Sequence, residues 1–409
     1  MKINIVQKYN GRSLDSIEKI QAVARHIAET KNKCEGLVVV ASAMGETTNK
    51  LLAMAKKVGT EIPKRELDVL LATGEQQTVA LLAIALQNLG IEAQSMTGFQ
   101  SGFVTNKYHT NAKIKEINTE KVEEIVNSGK VAVVAGFQGI DEEGDITTLG
   151  RGGSDITAVG IAAHLGWDCE MYTTSECLYT VDPELYPEAK PIRAITYEEM
   201  MEIANLGADK IETRAVELAK KYNVKLFLGK SLETDKSKGT YIMSKEMIIN
   251  ENLLVEDMPI TGMSIQDEVS IFTLRNVPAD GKAVAECFRT LGELEINVDM
   301  ISQQMAADGK CTVSFSCSKE QGDALQAELD GQEVFSDIIV DREGDLAMIS
   351  LVGVGMATHS GVASKVFQVM AENDIRYYHI TTSEISISVT VEMDQKLKAA
   401  IALCRAFRL

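Results

Sequence analysis

Short apolar runs alternate with longer stretches of helical period up to about residue 230. The pattern predicts strands over 3–7 and 36–41, helices over 16–30 and 66–89, strands over 93–97 and 131–137, a helix over 155–165, and strands over 169–173 and 225–228. Such alternation predicts an α/β fold: a mostly parallel sheet covered by helices on both faces. Ligands of such sheets bind beyond the carboxyl ends of the strands. Lys8, Ser42, Thr48, Arg151 and Thr174 all fall at or just past predicted strand ends, so one cleft can collect them. Residues 231–262 read as a polar, irregular connector. The period then changes. A strand over 269–274, a helix over 283–291 and strands over 298–303 and 312–316 are followed by the same plan at 346–352, 362–373, 376–380 and 385–391. This internal duplication predicts two small ferredoxin-like α+β modules in tandem.

The stretch Thr147-Thr148-Leu149-Gly150-Arg151-Gly152-Gly153-Ser154-Asp155 joins the strand ending near Phe137 to the helix at 155–165. A glycine-rich loop that opens a helix bares backbone N–H groups at the positive end of the helix dipole, a geometry that favours phosphate or carboxylate. Arg151 adds a planar fork suited to a carboxylate. Ser154 and Asp155 are also good N-cap residues, so a well-capped helix is the competing reading.

Charge narrows the partners. The 41 Lys and Arg against 59 Asp and Glu leave a net charge of −18, which argues against nucleic acid or an anionic membrane surface. An anionic small substrate stays compatible, because one arginine and loop amides can reverse the sign inside a pocket. The seven cysteines are scattered without CxxC spacing, which predicts neither a disulfide framework nor a zinc site, and a cytoplasmic protein. No metal-ligand motif, signal-peptide pattern or bilayer-length apolar run is expected.

The glycine-rich string resembles the signature of the amino-acid kinase fold, and more narrowly that of aspartokinases. Four further segments, in order, are similar to the family's: Val6-Gln7-Lys8-Tyr9-Asn10-Gly11-Arg12-Ser13, Val40-Ala41-Ser42-Ala43-Met44-Gly45-Glu46-Thr47-Thr48, Leu71-Ala72-Thr73-Gly74-Glu75-Gln76, and the apolar run from Ala347 to Met356. The resemblance spans nearly the whole chain. It implies a kinase domain over 1–230, the connector 231–262, and ACT modules over 263–340 and 341–409. It also implies the reaction ATP + L-aspartate → ADP + 4-phospho-L-aspartate, the first step toward lysine, threonine and methionine, with Mg2+ held mainly by nucleotide oxygens and water.

Roles follow from the resemblance residue by residue. Lys8 neutralises the transferring phosphoryl group, or is a solvated strand-end lysine. Asp155 orients Lys8 and the metal-bound phosphates, or caps its helix. Glu75, read as following a Thr-Gly turn at a helix start, accepts the substrate ammonium or complements the helix dipole. Arg151, with Gly152, Gly153 and Ser154, clamps a substrate carboxylate, and Ser42, Thr47 and Thr48 add polar contacts. Tyr9, Gly11, Ser13, Thr173, Thr174, Tyr179, Asp182 and Lys210 join Lys8 on the nucleotide side. An amino-acid effector such as lysine or threonine is expected at Asn297, Val298 and Asp299 of the first module and at Met356, Ser360, Gly361, Val362 and Thr381 of the second. A homodimer through the ACT modules, or a tetramer, is expected with it.

The departures from the family pattern gather on the nucleotide side. Thr174 stands in place of an aspartate, Glu184 in place of an arginine, and Asp209-Lys210 in place of Lys-Val. An anion near a triphosphate repels it, which keeps open an amino-acid-binding regulatory paralogue with weak catalysis; a kinase of a related acidic amino acid is a separate alternative, against which the tandem ACT region argues.

Overall fold

The computed structural model describes residues 3–206, 211–253, 259–298, 300–305, 309–329, 332–357 and 359–409. They fall into two compact units. The first holds the described residues up to Tyr179, then Lys190–Asn205 and 211–253. The second holds Thr180–Ala189, Leu206 and the described residues from 259 onward.

The first unit is built on an eight-stranded sheet. At its centre β1 (Ile3–Tyr9) runs parallel to β2 (Cys34–Ala41) on one side and to β9 (Asp168–Thr173) on the other. Beyond β2 lie β6 (Val131–Ala135) and β3 (Ala93–Met96), both parallel. Beyond β9 lie β13 (Leu226–Lys230), β14 (Thr240–Met243) and β12 (Ala194–Thr196), where only the β13–β14 pair is antiparallel. The runs Val38-Val39-Val40 and Val131-Ala132-Val133-Val134 are fully buried, because helices cover both faces and leave no solvent side to a central parallel strand.

The two-residue period of β1 separates its side chains by role. Gln7 and Tyr9 face α1 (Ile17–Lys31), where the Tyr9 hydroxyl lies 2.9 Å from His26 Nδ1 and donates to Gln7 Oε1 at 3.1 Å. Gln7 Nε2 donates to Glu170 Oε2 at 2.8 Å, Tyr172 donates to the same carboxylate at 2.9 Å, and Lys236 pairs with its other oxygen. Burial pushes the Tyr9 and Tyr172 phenols up and His26 down, so these groups serve as neutral hydrogen-bonding members. Tyr9 is fully buried and stacks on Tyr172 at 5.1 Å. The expectation that it contacts nucleotide is corrected: it is a core residue. Lys8, between them in sequence, faces α5 (Gly153–Leu165) instead.

A second, four-stranded sheet lies to one side in the order β5 (Ile114–Ile117), β4 (Phe103–Thr105), β7 (Gln138–Ile140), β8 (Ile146–Thr148). It has no counterpart in the predicted elements. Its strands are three or four residues long, too short to set a period. The other helices are α2 (Thr47–Val58), α3 (Lys64–Asn88), α4 (Glu120–Asn127), α6 (Tyr197–Asn205), α7 (Thr213–Tyr222) and α8 (Lys245–Asn250). The short strands β10 (Leu178–Tyr179) and β11 (Pro191–Ile192) pair as a ribbon. α3 has the length and apolarity of a membrane span, but its buried residues include Asp68, Glu75 and Thr78, as in a core helix. The irregular connector is also corrected: β14 and α8 lie within it, and β14 is a strand of the main sheet.

The second unit carries a six-stranded sheet in the order β16 (Ile301–Met305), β17 (Lys310–Ser318), β15 (Gly262–Pro278), β18 (Ile339–Val352), β20 (Ser386–Glu392), β19 (Tyr377–Thr382). The helices are α9 (Lys282–Glu293), α10 (Lys319–Leu329), α11 (Val362–Glu372) and α12 (Lys396–Phe407). The duplication holds, with a difference. β15 and β18 are each longer than one module needs. The C-terminal half of β15 (269–275) pairs with the N-terminal half of β18, and the N-terminal half of β15 (262–266) with the C-terminal half of β18. Each strand breaks its register near Glu268 and Asp345, both of positive φ (55° and 58°). Each four-stranded half thus contains one half of each long strand. Val181 and Tyr186, from the segment between β10 and β11, pack into the core of the second module.

Tyr9→Phe should cost about 1–2 kcal/mol of stability, because Gln7 Oε1 and the His26 ring nitrogen both lose a buried hydroxyl. The KM for the nucleotide that the resemblance implies should stay at the wild-type value. Chemical denaturation with parallel kinetics checks both; a raised KM at unchanged stability would return Tyr9 to the nucleotide site.

Candidate active site

A cleft of about 480 Å³ opens at the carboxyl ends of β1, β2 and β6. Six chain segments build it, one of them the stretch between β4 and β5, which gives Thr110. β1 contributes Lys8, and the turn after it Gly11. The loop after β2 gives Ser42, Ala43 and Gly45, and α2 gives Thr48. α3 supplies Leu67, Leu71 and Glu75, and the segment after β6 Phe137. The glycine-rich stretch provides Thr148, Gly150, Arg151, Gly152, Gly153, Ser154 and Asp155.

Lys8 Nζ lies 2.5 Å from Asp155 Oδ1, and both side chains are largely buried. Asp155 Oδ2 also accepts from the Glu212 amide at 3.4 Å. The N-cap of α5 is Gly152, with no side-chain cap bond, so the helix starts on bare backbone over the cleft. Asp155 is thus in contact with Lys8 and is not the N-cap of its helix. Gly150 and Gly152 have φ of 80° and 62°. A Cβ on Gly152 would lie 2.3 Å from Glu212 Cβ, and one on Gly11 2.5 Å from the Ala43 carbonyl oxygen. The glycine at position 11 therefore admits the neighbouring loop, where a phosphate was expected.

Glu75 sits in the middle of α3, where the helix-dipole reading placed it at a helix start. Gly74 lets this happen: a Cβ there would stand 2.9 Å from Ala43 Cβ. Glu75 Oε1 accepts from the Ala43 amide at 3.1 Å. Oε2 is buried and has no hydrogen-bond partner among the described residues. Burial raises this carboxyl to about 7, against the lowering effect of the Ala43 N–H. A buried oxygen left open in a cleft is costly unless something fills it. The cleft thus presents an anionic acceptor from α3 and two cations, Lys8 and the more exposed Arg151, from β1 and the glycine-rich loop. That set matches a small molecule with one ammonium and more than one anionic group.

Ten of the expected residues line the cleft: Lys8, Gly11, Ser42, Thr48, Glu75, Arg151, Gly152, Gly153, Ser154 and Asp155. Others lie elsewhere. Thr47 starts α2 and sets its methyl beside Gly74. Ser13 donates to Asn10 Oδ1 at 2.7 Å and accepts from the Ser231 hydroxyl at 2.6 Å. Thr173 Oγ1 accepts from the Ser175 amide at the end of β9, Thr174 is exposed beyond it, and Tyr179 is on β10. Asp182 belongs to the second unit and caps its own turn through the Glu184 amide. Lys210 and Asp209 lie outside the described residues, as does Asp299. Sequence reasoning missed Thr110, Phe137 and Thr148. Thr110 and Phe137 have φ of 69° and 74°, rare for a β-branched or aromatic residue, and no sequence signal marks such a conformation.

In the second unit, a cavity of about 380 Å³ is lined by Pro278, Ala279, Gly281, Val284, Ala285, Phe288, Gln303 and Cys311. Asn297 and Val298 are not among its lining residues; Val298 packs on the module core. In the other module Met356 and Val362 pack against the core, Ser360 and Gly361 are exposed at the start of α11, and Thr381 is on edge strand β19.

Residues 4–230 match the model of the amino acid kinase family, and residues 349–407 that of an ACT domain. The chain belongs to the amino acid kinase family, in the branch that carries ACT modules. Within it, the chain is an aspartokinase-family member. It is 43% identical to an aspartokinase of Bacillus sp. over 99% of its own length and 97% of that protein's. It is 41% identical to aspartokinase 2 of Bacillus subtilis, over 99% and 98%. The fold matches a crystal structure of E. coli aspartokinase III in complex with aspartate and ADP, with a TM-score of 0.79, 22% identity and coverage of 99% and 100%.

The buried Glu75 sets a pH dependence. Its folded-state value of about 7 lies above the ordinary 4.5, so the folded protein keeps a proton that the unfolded chain releases. Stability from this group is present at acid pH and is lost as pH rises through about 7, a swing of roughly 3 kcal/mol. Glu75→Gln should flatten the ligand-free unfolding curve between pH 5 and 8 and weaken aspartate binding. Thermal melts across that range check the slope; an unaltered slope would contradict the burial.

Proposed function

We propose that this protein transfers the γ-phosphoryl group of ATP to the β-carboxylate of L-aspartate, giving ADP and 4-phospho-L-aspartate. The open, buried oxygen of Glu75, in the cleft that Arg151 also lines, carries this reading. Glu75 accepts the substrate ammonium. Arg151, with the amides at the start of α5, holds the α-carboxylate. The β-carboxylate then points toward Lys8, where the phosphoryl group arrives.

Phosphoryl transfer needs in-line positioning and charge neutralisation more than covalent help. Lys8 supplies positive charge to the equatorial oxygens of the transferring group, where negative charge must be accommodated. Asp155 fixes the position of the Lys8 ammonium. The cleft offers carboxylate and hydroxyl oxygens, the donor type that suits Mg2+. That ion, held mainly by nucleotide oxygens, supplies further charge neutralisation when bound. Depth matters too: Lys8 and Glu75 are each less than 10% exposed, so their charges act in a poorly screened site.

Arg151→Ala should raise the KM for aspartate by about tenfold or more, with the KM for ATP little changed. Lys8→Ala should lower kcat by about two to three orders of magnitude at nearly constant aspartate affinity. Steady-state kinetics and calorimetry of both variants test the assignment. An Arg151→Ala protein with both KM values intact would refute the carboxylate clamp.

The ACT modules support feedback by an amino acid such as lysine or threonine, in a homodimer or tetramer. Gly281 opens α9 at the cavity of the first module, and Gly361 opens α11 of the second with no side-chain cap, so bare helix starts can take a carboxylate. An inhibitor must favour one conformational state. Lysine and threonine, singly and together, should inhibit the wild type and raise its melting temperature, and Ser360→Ala should weaken one of them. No response to either would leave the modules without an effector of this kind.

A further inference from the structure

Asp68, on the second turn of α3, is fully buried and takes no part in the proposed chemistry. Its carboxylate accepts from the Thr110 amide with both oxygens, at 3.1 and 3.0 Å, and from Thr148 Oγ1 at 2.6 Å; His109 Nδ1 lies 2.9 Å away. Thr110 and Thr148 both line the cleft, on different segments of the chain. Thr110 is β-branched and has φ of 69°, a conformation that persists only where its surroundings enforce it. The two segments are also tied to each other. The Ala112 amide donates to the Thr148 carbonyl at 2.9 Å. Arg214, from α7, donates to the carbonyls of Leu149 at 2.6 Å and Ala112 at 3.1 Å and to Asn111 Oδ1 at 3.1 Å. The backbone of Gly150 approaches so closely that a Cβ there would stand 3.0 Å from Asn111 Oδ1 and 3.1 Å from the Thr110 carbonyl oxygen. Arg151 is the next residue.

We propose that Asp68 is a positioning residue of the substrate site: it holds Thr110 in its left-handed conformation and Thr148 at the end of β8, and so sets the Gly150–Arg151 turn. Burying a carboxylate costs free energy that its hydrogen bonds must offset. Here they converge on the two segments that fix the carboxylate clamp. The inference rests on the reading of Arg151 as that clamp, and the clamp variant is therefore measured beside it.

The experiment compares wild type with Asp68→Ala, Asp68→Asn, Thr148→Val and Arg151→Ala in the full-length protein, reading kcat, both KM values and the melting temperature. Asp68→Ala should raise the KM for aspartate by about tenfold, with the KM for ATP held within about twofold. Thr148→Val, which removes only the hydroxyl donor, should move aspartate KM in the same direction. The Asp68→Ala/Thr148→Val pair should be no worse than Asp68→Ala alone. Adding Thr110→Gly to Asp68→Ala should recover part of the aspartate affinity, because glycine holds that φ without help. A merely structural role predicts no such recovery. Should Asp68→Ala fail to fold, Thr148→Val and Asp68→Asn carry the comparison. A folded Asp68→Ala protein with wild-type aspartate KM, beside an impaired Arg151→Ala, overturns this inference alone. An unimpaired Arg151→Ala overturns the clamp and this inference together.

Discussion

The buried pair of Lys8 and Asp155 is the constraint on which the site depends. Two charges so far from water are tolerated only in close contact with each other. Lys8 ends a central strand and Asp155 opens a helix, so their contact pins the start of α5 against the end of β1. The glycine-rich loop must then close the distance from β8 to that point. It does so with two left-handed glycines at 150 and 152. The loop's conformation is thus set from both ends, by the pair at one and by the bonds of Thr148 and Leu149 at the other.

Glu75 shows the other side of the same electrostatics. Its open oxygen weakens the ligand-free protein above neutral pH, and in the proposed reaction the same oxygen is the partner of the substrate ammonium. Stability is lowered where binding needs it, as expected for a pre-formed site. The contrast with Asp68 is instructive. Both carboxylates lie buried on α3, two turns apart. One has hydrogen bonds from Thr110 and Thr148; the other keeps one oxygen without a partner among the described residues.

Much of this was legible in the sequence. The apolar run at 131–137 and the helix at 155–165 were readable because continuous valines and small residues have few other uses in a chain of this charge. Lys8, Glu75, Arg151 and Asp155 followed from the motifs and meet in one cleft. What escaped has physical reasons. The three- and four-residue strands of the second sheet carry no period. The strand predicted through Phe137 stops at Ala135 because Phe137 turns left-handed, held by its amide to Thr157 Oγ1 and by its carbonyl to the Leu149 amide. β14 looked like connector because Tyr241-Ile242-Met243 is too short to stand out from its polar flanks. Tyr9 was misplaced because a strand's alternation tells which residues share a face but not which face holds the ligand.

The second unit makes a related point about connectivity. Two separate modules would each close their own sheet and could move as independent bodies. Here β15 and β18 each give one half to each module and bend at Glu268 and Asp345. Tilting one module about its sheet must therefore rotate a strand whose other half is hydrogen-bonded in its neighbour. Strand pairing is stiff along its length, so the freedom that remains lies at the two bends, where register is already broken and an αL residue absorbs the turn. A ligand seated in the first module's cavity, against Pro278 at the C-terminal end of β15, lies on the strand whose other half forms part of the second module's sheet. Coupling between the modules is thus a property of the chain's path.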